Sequence, residues 1–152
     1  MKIRWQRVLI YFLGGICCWL LLFVWNERHI KKFHLETLRK SLQHHARMME
    51  MLFSLSDSTS DSDVDAIRRK TPYNITIIDH QGRVVADSLF SGKDLKKIEN
   101  QLNQKEIVQA AQEGTGGDLR YYAVTDGWFL YVAVPFSNGK GFVRLSTPVS
   151  GP

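Results

Sequence analysis

Apolar positions change their spacing twice along the chain, and each change marks an element. Val8 to Trp25, VLIYFLGGICCWLLLFVW, is eighteen residues without a charge. As a helix it spans about 27 Å at ~1.5 Å per residue, close to the hydrocarbon thickness of a bilayer. The run predicts a transmembrane helix, with Trp5 before it and Trp19 and Trp25 toward its far end suited to the interfaces. From Glu27 to about Leu55 apolar residues recur every three or four positions, without Gly or Pro, which predicts one long helix. Leu35, Leu38, Leu42, His45, Met49 and Leu52 follow heptad spacing for less than three heptads. Two readings fit that stripe: the seam of a weak parallel homodimer, or an amphipathic helix packing on its own domain.

From Tyr73 the spacing becomes two. Tyr73, Ile75 and Ile77 share one face, and Val84 and Ala86 continue after a turn bracketed by Asp79 and Gly82, which predicts a β-hairpin. Two short helices follow, the first placing Leu95, Ile98 and Leu102 on one face. In the second, Asn103 and Glu106 form a capping box, Ile107, Ala110 and Ala111 face inward, and Gly114 ends the helix. Strands are expected at about 119–124, 128–135 and 142–147. Asp126-Gly127 marks one turn between them, and Asn138-Gly139 with Gly141 marks the other. The expected core includes Ile75, Ile77, Val84, Tyr131, Val132 and Val134. The fold class is α+β: an N-terminal transmembrane helix and a long juxtamembrane helix, then a five-stranded antiparallel sheet with short helices.

Charge refines this picture. Residues 1–56 carry nine Lys and Arg against three Glu, a net of +6, whereas residues 57–152 carry eleven against twelve, a net of −1. The basic excess thus adjoins the apolar run, where lipid head groups explain it better than nucleic acid does. Lys2, Arg4 and Arg7 would also suit the start of a cleavable signal peptide, but no small-residue cleavage site follows, only Asn26-Glu27-Arg28-His29. Cys17 and Cys18 are the only cysteines and are adjacent within the apolar run, so the rest of the chain holds no disulfide.

Candidate chemistry is sparse. His29, His34, His44 and His45 lie on the long helix without the i, i+4 spacing that paired metal ligands need. Asp61, Asp63 and Asp65 alternate as in a calcium loop, but Ala66 and Pro72 stand where Gly and Glu are required; helix capping through Ala66 and Ile67 explains them better. GTGG at 114–117 lacks the Lys-Ser/Thr of a phosphate loop, and no G-x-S-x-G occurs. The residues predict no catalytic site, metal or cofactor, and no ATP binding or labelling by this chain alone.

Four segments, ITIIDHQGRVVADS, NQKEIVQAAQEGTGGDLRYYAV, WFLYVAVPF and GFVRLSTPVS, resemble in their order the sensor region of phosphate-regulon (PhoR-type) bacterial sensor histidine kinases. The hairpin reads D-x-x-G-x-V-x-A-D-S and a later strand L-Y-V-A-x-P. The resemblance covers roughly residues 5 to 150 and implies an extracytoplasmic PAS-like or single-Cache domain. It divides the chain into a cytoplasmic N-terminus 1–7, a membrane span 8–25, a coupling helix 26–56 and a sensor domain 57–150. The implied function is the input module of a two-component signalling kinase in the bacterial cytoplasmic membrane. Its partners would be the bilayer, a second copy, and kinase domains or a partner membrane protein. The family's phosphoacceptor box and ATP-binding domain have no counterpart here, since QHHARMM around His44 and His45 does not read as such a box. The other reading is a stand-alone membrane-anchored interaction or assembly module of the same fold.

Overall fold

The structure, a computed structural model, describes the backbone of residues 5–55, 71–90, 92–123 and 126–151. Side chains are described for all of these except 6–8, 10, 24, 26–32, 55, 92 and 93. The Ser/Asp run 56–65 and the short helix expected through Ala66 and Ile67 lie outside the described residues. The chain divides into two units, residues 1–37 and residues 38–151. Helix α1, Trp5–Leu55, runs without a break across the positions where a span and a separate coupling helix are expected.

The first unit is described by α1 as far as Thr37. Trp5, Leu9, Tyr11 to Leu13, Ile16 and Trp19 to Phe23 all present large apolar side chains to the surroundings. Among the described residues no helix is long and apolar enough to cross a membrane.

In the second unit the strands are β1 (Asn74–Asp79), β2 (Val84–Asp87), β3 (Gly116–Tyr122), β4 (Gly127–Pro135) and β5 (Gly141–Val149), with helix α2 at Lys105–Glu113. They form one sheet in the order β2-β1-β5-β4-β3, antiparallel throughout. Both faces are covered. On one, Leu42, Ala46, Met49 and Phe53 of α1 pack with Ile75, Ile77, Ala86, Val132, Val134, Val143 and Leu145. On the other, Ile107 and Ala110 of α2 pack with Ile78 and Ala133. Coverage of both faces explains why β1 reads ITII, a continuous buried run, rather than a clean alternation.

Within the unit α1 runs alongside β4. Arg39 stands over Gly117, which pairs with Val132, and Glu50 accepts hydrogen bonds from Ser137 N–H (2.9 Å) and Oγ (2.7 Å). Eleven helical residues rise about 16 Å and five strand residues advance about the same, so helix and strand keep in step.

The first hairpin forms as expected. Asp79 accepts from the Gln81 and Arg83 N–H groups, and Gly82 takes the positive φ of 80° that its turn needs. A register shift between Ile77 and Ile78 puts Ala86 with Ile77 but moves Val84 to the opposite face, beside Ile78. The sequence's single-face assignment of Val84 and Ala86 is corrected by this bulge. Tyr131 is likewise on the opposite face from Val132 and Val134, as alternation along β4 demands.

Further corrections concern the short helices. The first is a 3₁₀ segment, Gly92–Lys97; Leu95 is buried, whereas Leu102 lies beyond it and is exposed. Around α2, the N-cap is Gln104 and no side chain caps the helix, so Asn103 and Glu106 do not form a capping box. Glu106 turns inward, and Ala111 outward. Gly114 ends the helix in the left-handed conformation, as expected.

Ile77, buried at 4% exposure, should lose about 2–5 kcal/mol of stability on truncation to Ala. Val85→Ala on the outer edge should stay within about 0.5 kcal/mol. Chemical denaturation of the purified chain checks both. Gly116→Ala should cost about 1–3 kcal/mol, since a Cβ there would come within 1.9 Å of the Glu106 carbonyl oxygen and push α2 off the sheet.

Candidate functional site

The face of the sheet beneath α2 gathers a cluster of charged side chains, Asp87, Glu106, Asp118, Arg120 and Arg144, and register explains how. Asp87, Thr76, Arg144, Ala133 and Gly116 lie in one row across the five strands. Ser146, Tyr131 and Asp118 lie in the next. Alternation then adds Arg120, two residues beyond Asp118 on β3. The small Ala133 and Gly116 let the first turn of α2 approach the backbone closely, which sets Glu106 beside the arginines.

Glu106 is the hub. Its side chain is 0% exposed, and Arg120 Nη2 donates to Oε2 at 2.7 Å while Arg144 Nη1 approaches Oε1 at 3.3 Å. Arg120 also donates through Nε (3.2 Å) and Nη2 (3.0 Å) to Asp118. Arg144 Nη1 donates to Gln101 Oε1 at 2.8 Å, and Nη2 reaches Thr76 Oγ1 at 3.4 Å. Thr76 in turn donates to Asp87 at 2.7 Å, whose other oxygen accepts from the Leu89 and Phe90 N–H groups. The Tyr131 ring lies under both guanidiniums, 4.7 Å from Arg120 and 5.4 Å from Arg144.

The electrostatics follow from this packing. Burial alone would weaken the protonated form of Arg120, but Glu106 and Asp118 more than offset it and raise its pKa. Burial raises the Tyr131 phenol's pKa, against the opposing pull of Arg144 and Arg120. One polar atom is left over: Arg144 Nε is buried and has no hydrogen-bond partner.

This arrangement clamps α2 to the sheet through charge. It contains no nucleophile beside a base, and among the described residues no group of three or more His, Cys, Asp or Glu could hold a metal ion. Arg120, with 32% of its side chain exposed, is its accessible edge.

The stripe on α1 is distributed differently from its heptad reading. Leu42 and Met49 are buried in the chain's own core, and Leu38 packs against them. His45 is half-buried, its Nδ1 2.7 Å from the Ser41 carbonyl oxygen and its ring 5.1 Å from that of Tyr73. Leu35 is half-buried, while Leu52 is 54% exposed. The inward residues are Leu42, Ala46, Met49 and Phe53, a stripe with the same seven-residue repeat as the predicted one but on a face turned part of the way round the helix. Ala46 and Phe53 thus replace His45 and Leu52 on the packed face. The intrachain alternative describes Leu42 and Met49.

Sequence reasoning missed Glu106, Arg120, Arg144 and Tyr131 as a set. Two signals were present: Glu106 precedes Ile107 on the inward stripe of α2, and Asp118 and Arg120 alternate on a strand. Comparison with known proteins returns no match to a family model, a curated protein or a solved structure.

Glu106→Ala should cost about 3–5 kcal/mol, because it strands buried guanidinium groups. Asp118→Asn should cost less, its partner Arg120 being partly solvated. Thermal unfolding of the two variants tests the ranking.

The Glu50 carboxyl is subject to partial burial, which would raise its pKa, but hydrogen bonds from Ser137 and Ser54 and the nearby Arg47 hold it below the ordinary value of 4.5. A carboxyl depressed in the folded state stabilises the protein above its unfolded pKa and loses that contribution as pH falls through the folded one. Stability should therefore decline below pH 4.5, and Glu50→Gln should flatten the decline. Denaturation midpoints measured against pH check this.

Proposed function

We propose that this chain is the input module of a two-component signalling kinase, anchored in a membrane and without catalytic activity of its own. Val8–Trp25 serves as the transmembrane helix, 26–56 as the coupling helix, and 57–150 as a PAS-like or single-Cache sensor domain outside the membrane, with the N-terminus inside. The observation that carries this reading is α1: one helix whose early residues expose large apolar side chains and whose residues 42–53 form part of the sheet's core. Apolar surface of that extent is stabilised by a lipid environment.

The mechanism follows from packing. A change in the sheet alters the seats of Leu42, Ala46, Met49 and Phe53, and the Glu50–Ser137 tie holds α1 to the β4–β5 turn, so sheet and helix shift together. The α2 clamp at Glu106 sits across the same sheet and biases which arrangement is populated. A weak parallel homodimer and a kinase portion or partner membrane protein would receive the shift, with Leu35, His45 and Leu52 the seam positions left outside the packed core face.

Two experiments test the reading. Alkaline phosphatase fused after Pro152 should be active, and a fluorescent cytoplasmic reporter at that junction silent; the reverse pattern overturns the orientation. In a chimera joining this chain to a kinase transmitter, Glu106→Gln should change basal output about 5-fold or more, the range of ordinary coupling energies. Unchanged output in a folded, membrane-inserted chimera would identify a stand-alone interaction module.

A further inference from the structure

The β4–β5 turn holds the tie to α1 and, next to it, a dipeptide that can react with itself. Asn138 precedes Gly139 there, whereas Asn26, Asn74, Asn100 and Asn103 precede Glu, Ile, Gln and Gln. A side chain on the following residue crowds the approach of that residue's nitrogen to the asparagine Cγ. Gly139 has none, takes a positive φ of 72°, and has open space where a Cβ would stand. Ser137, Asn138, Gly139 and Lys140 are all exposed, so water reaches the whole turn.

The fold sets this pair in a reactive posture and restrains it with one bond. Asn138 Oδ1 accepts from the Lys140 N–H at 3.0 Å. That Asx-turn bond folds the side chain forward over its own peptide, bringing Cγ toward the Gly139 nitrogen, and it polarises the side-chain carbonyl. Against this, the Gly139 N–H donates to the Phe136 carbonyl oxygen at 3.0 Å, and the nitrogen must be released before it can attack. Exposed turns with few buried contacts open at the low end of the stability range, so this bond slows the reaction without preventing it.

We infer that Asn138 is a site of spontaneous deamidation, with water as the co-reactant, and that its isoaspartate product loosens the tie between Ser137 and Glu50. The Gly139 nitrogen forms a bond to Asn138 Cγ, its proton passes to Nδ2, and the Cγ–Nδ2 bond breaks to release ammonia, leaving a succinimide ring. Water then opens the ring at either carbonyl, and the product is heavier than the amide by about 1 Da. Opening at the side-chain carbonyl gives aspartate. Opening at the backbone carbonyl gives isoaspartate, whose chain runs through Cβ and Cγ and so gains a methylene inside the turn. Ser137, one residue away, gives both its N–H (2.9 Å) and its Oγ (2.7 Å) to the same oxygen of Glu50. A lengthened turn does not hold both donors on one atom. The chemistry is independent of the signalling reading; under that reading an aged chain passes less of the sheet's shift to α1.

The full chain, residues 1–152, is purified in detergent and aged at mildly acidic and mildly alkaline pH. Peptide mass spectrometry locates the mass gain, and methyl transfer by a protein-isoaspartate methyltransferase counts the isoaspartate. Conversion at 138 several-fold faster than at any other asparagine is the expected result, faster at alkaline pH because the deprotonated nitrogen attacks, and lost in Asn138→Gln. The isoaspartate form, separated by ion exchange, should unfold at a lower temperature than the fresh chain, and most of that difference should vanish when both carry Glu50→Ala. Conversion at 138 no faster than at the other asparagines overturns the site. An isoaspartate form that unfolds with the fresh chain, or whose deficit is undiminished by Glu50→Ala, overturns the loosening of the tie.

Discussion

A carboxylate removed wholly from water is tolerated only where cations and hydrogen-bond donors stand against it, and the Glu106 pocket meets that condition from two strands at once. Arg120 on β3 and Arg144 on β5 flank β4, so Glu106 is satisfied only when all three strands are in register and α2 is seated. The small residues Gly116 and Ala133 make the approach possible, and Tyr131 fills the space between the guanidiniums. Such a cluster adds little net stability over an apolar equivalent, because desolvation offsets most of the Coulomb gain. Its effect is on specificity: α2 has one position in which the charges are paired.

The opposite face is held by other means. Four side chains of α1 enter an apolar layer contributed by all strands but β3, and one carboxylate, Glu50, fastens the helix to the β4–β5 turn. Apolar packing is non-directional and permits small sliding, whereas the hydrogen bonds at Glu50 fix one end. A sheet with a charge-paired helix on one face and a partly tethered, slidable helix on the other suits transmission of a packing change from one side to the other.

Members of the network under α2 stand in short sequence segments that do not by themselves show their roles. ADS, EIVQ, LYVA and FVRLS contain Asp87, Glu106, Tyr131 and Arg144, four members of the network under α2. In isolation Glu106, three residues after Asn103, reads as a helix cap. Only the crossover that places β5 between β1 and β4 brings the network's members within bonding distance.

The sequence by itself determined what depends on near neighbours: the α+β class, the strand-rich C-terminal part, the turn at Asp79–Gly82, the glycine stop of α2, and the eighteen-residue uncharged run. These follow from periodicity and backbone preference, which act over a few residues. The tertiary structure alone decided which face each residue serves. A bulge of one residue sent Val84 away from Ala86, and the way α1 lies on its own sheet chose Ala46 and Phe53 over His45 and Leu52, two stripes of the same seven-residue repeat that share Leu42 and Met49. It also turned Glu106 from a cap into a buried hub, since a carboxylate's role depends on the charges facing it across strands distant in sequence, and no local pattern encodes those.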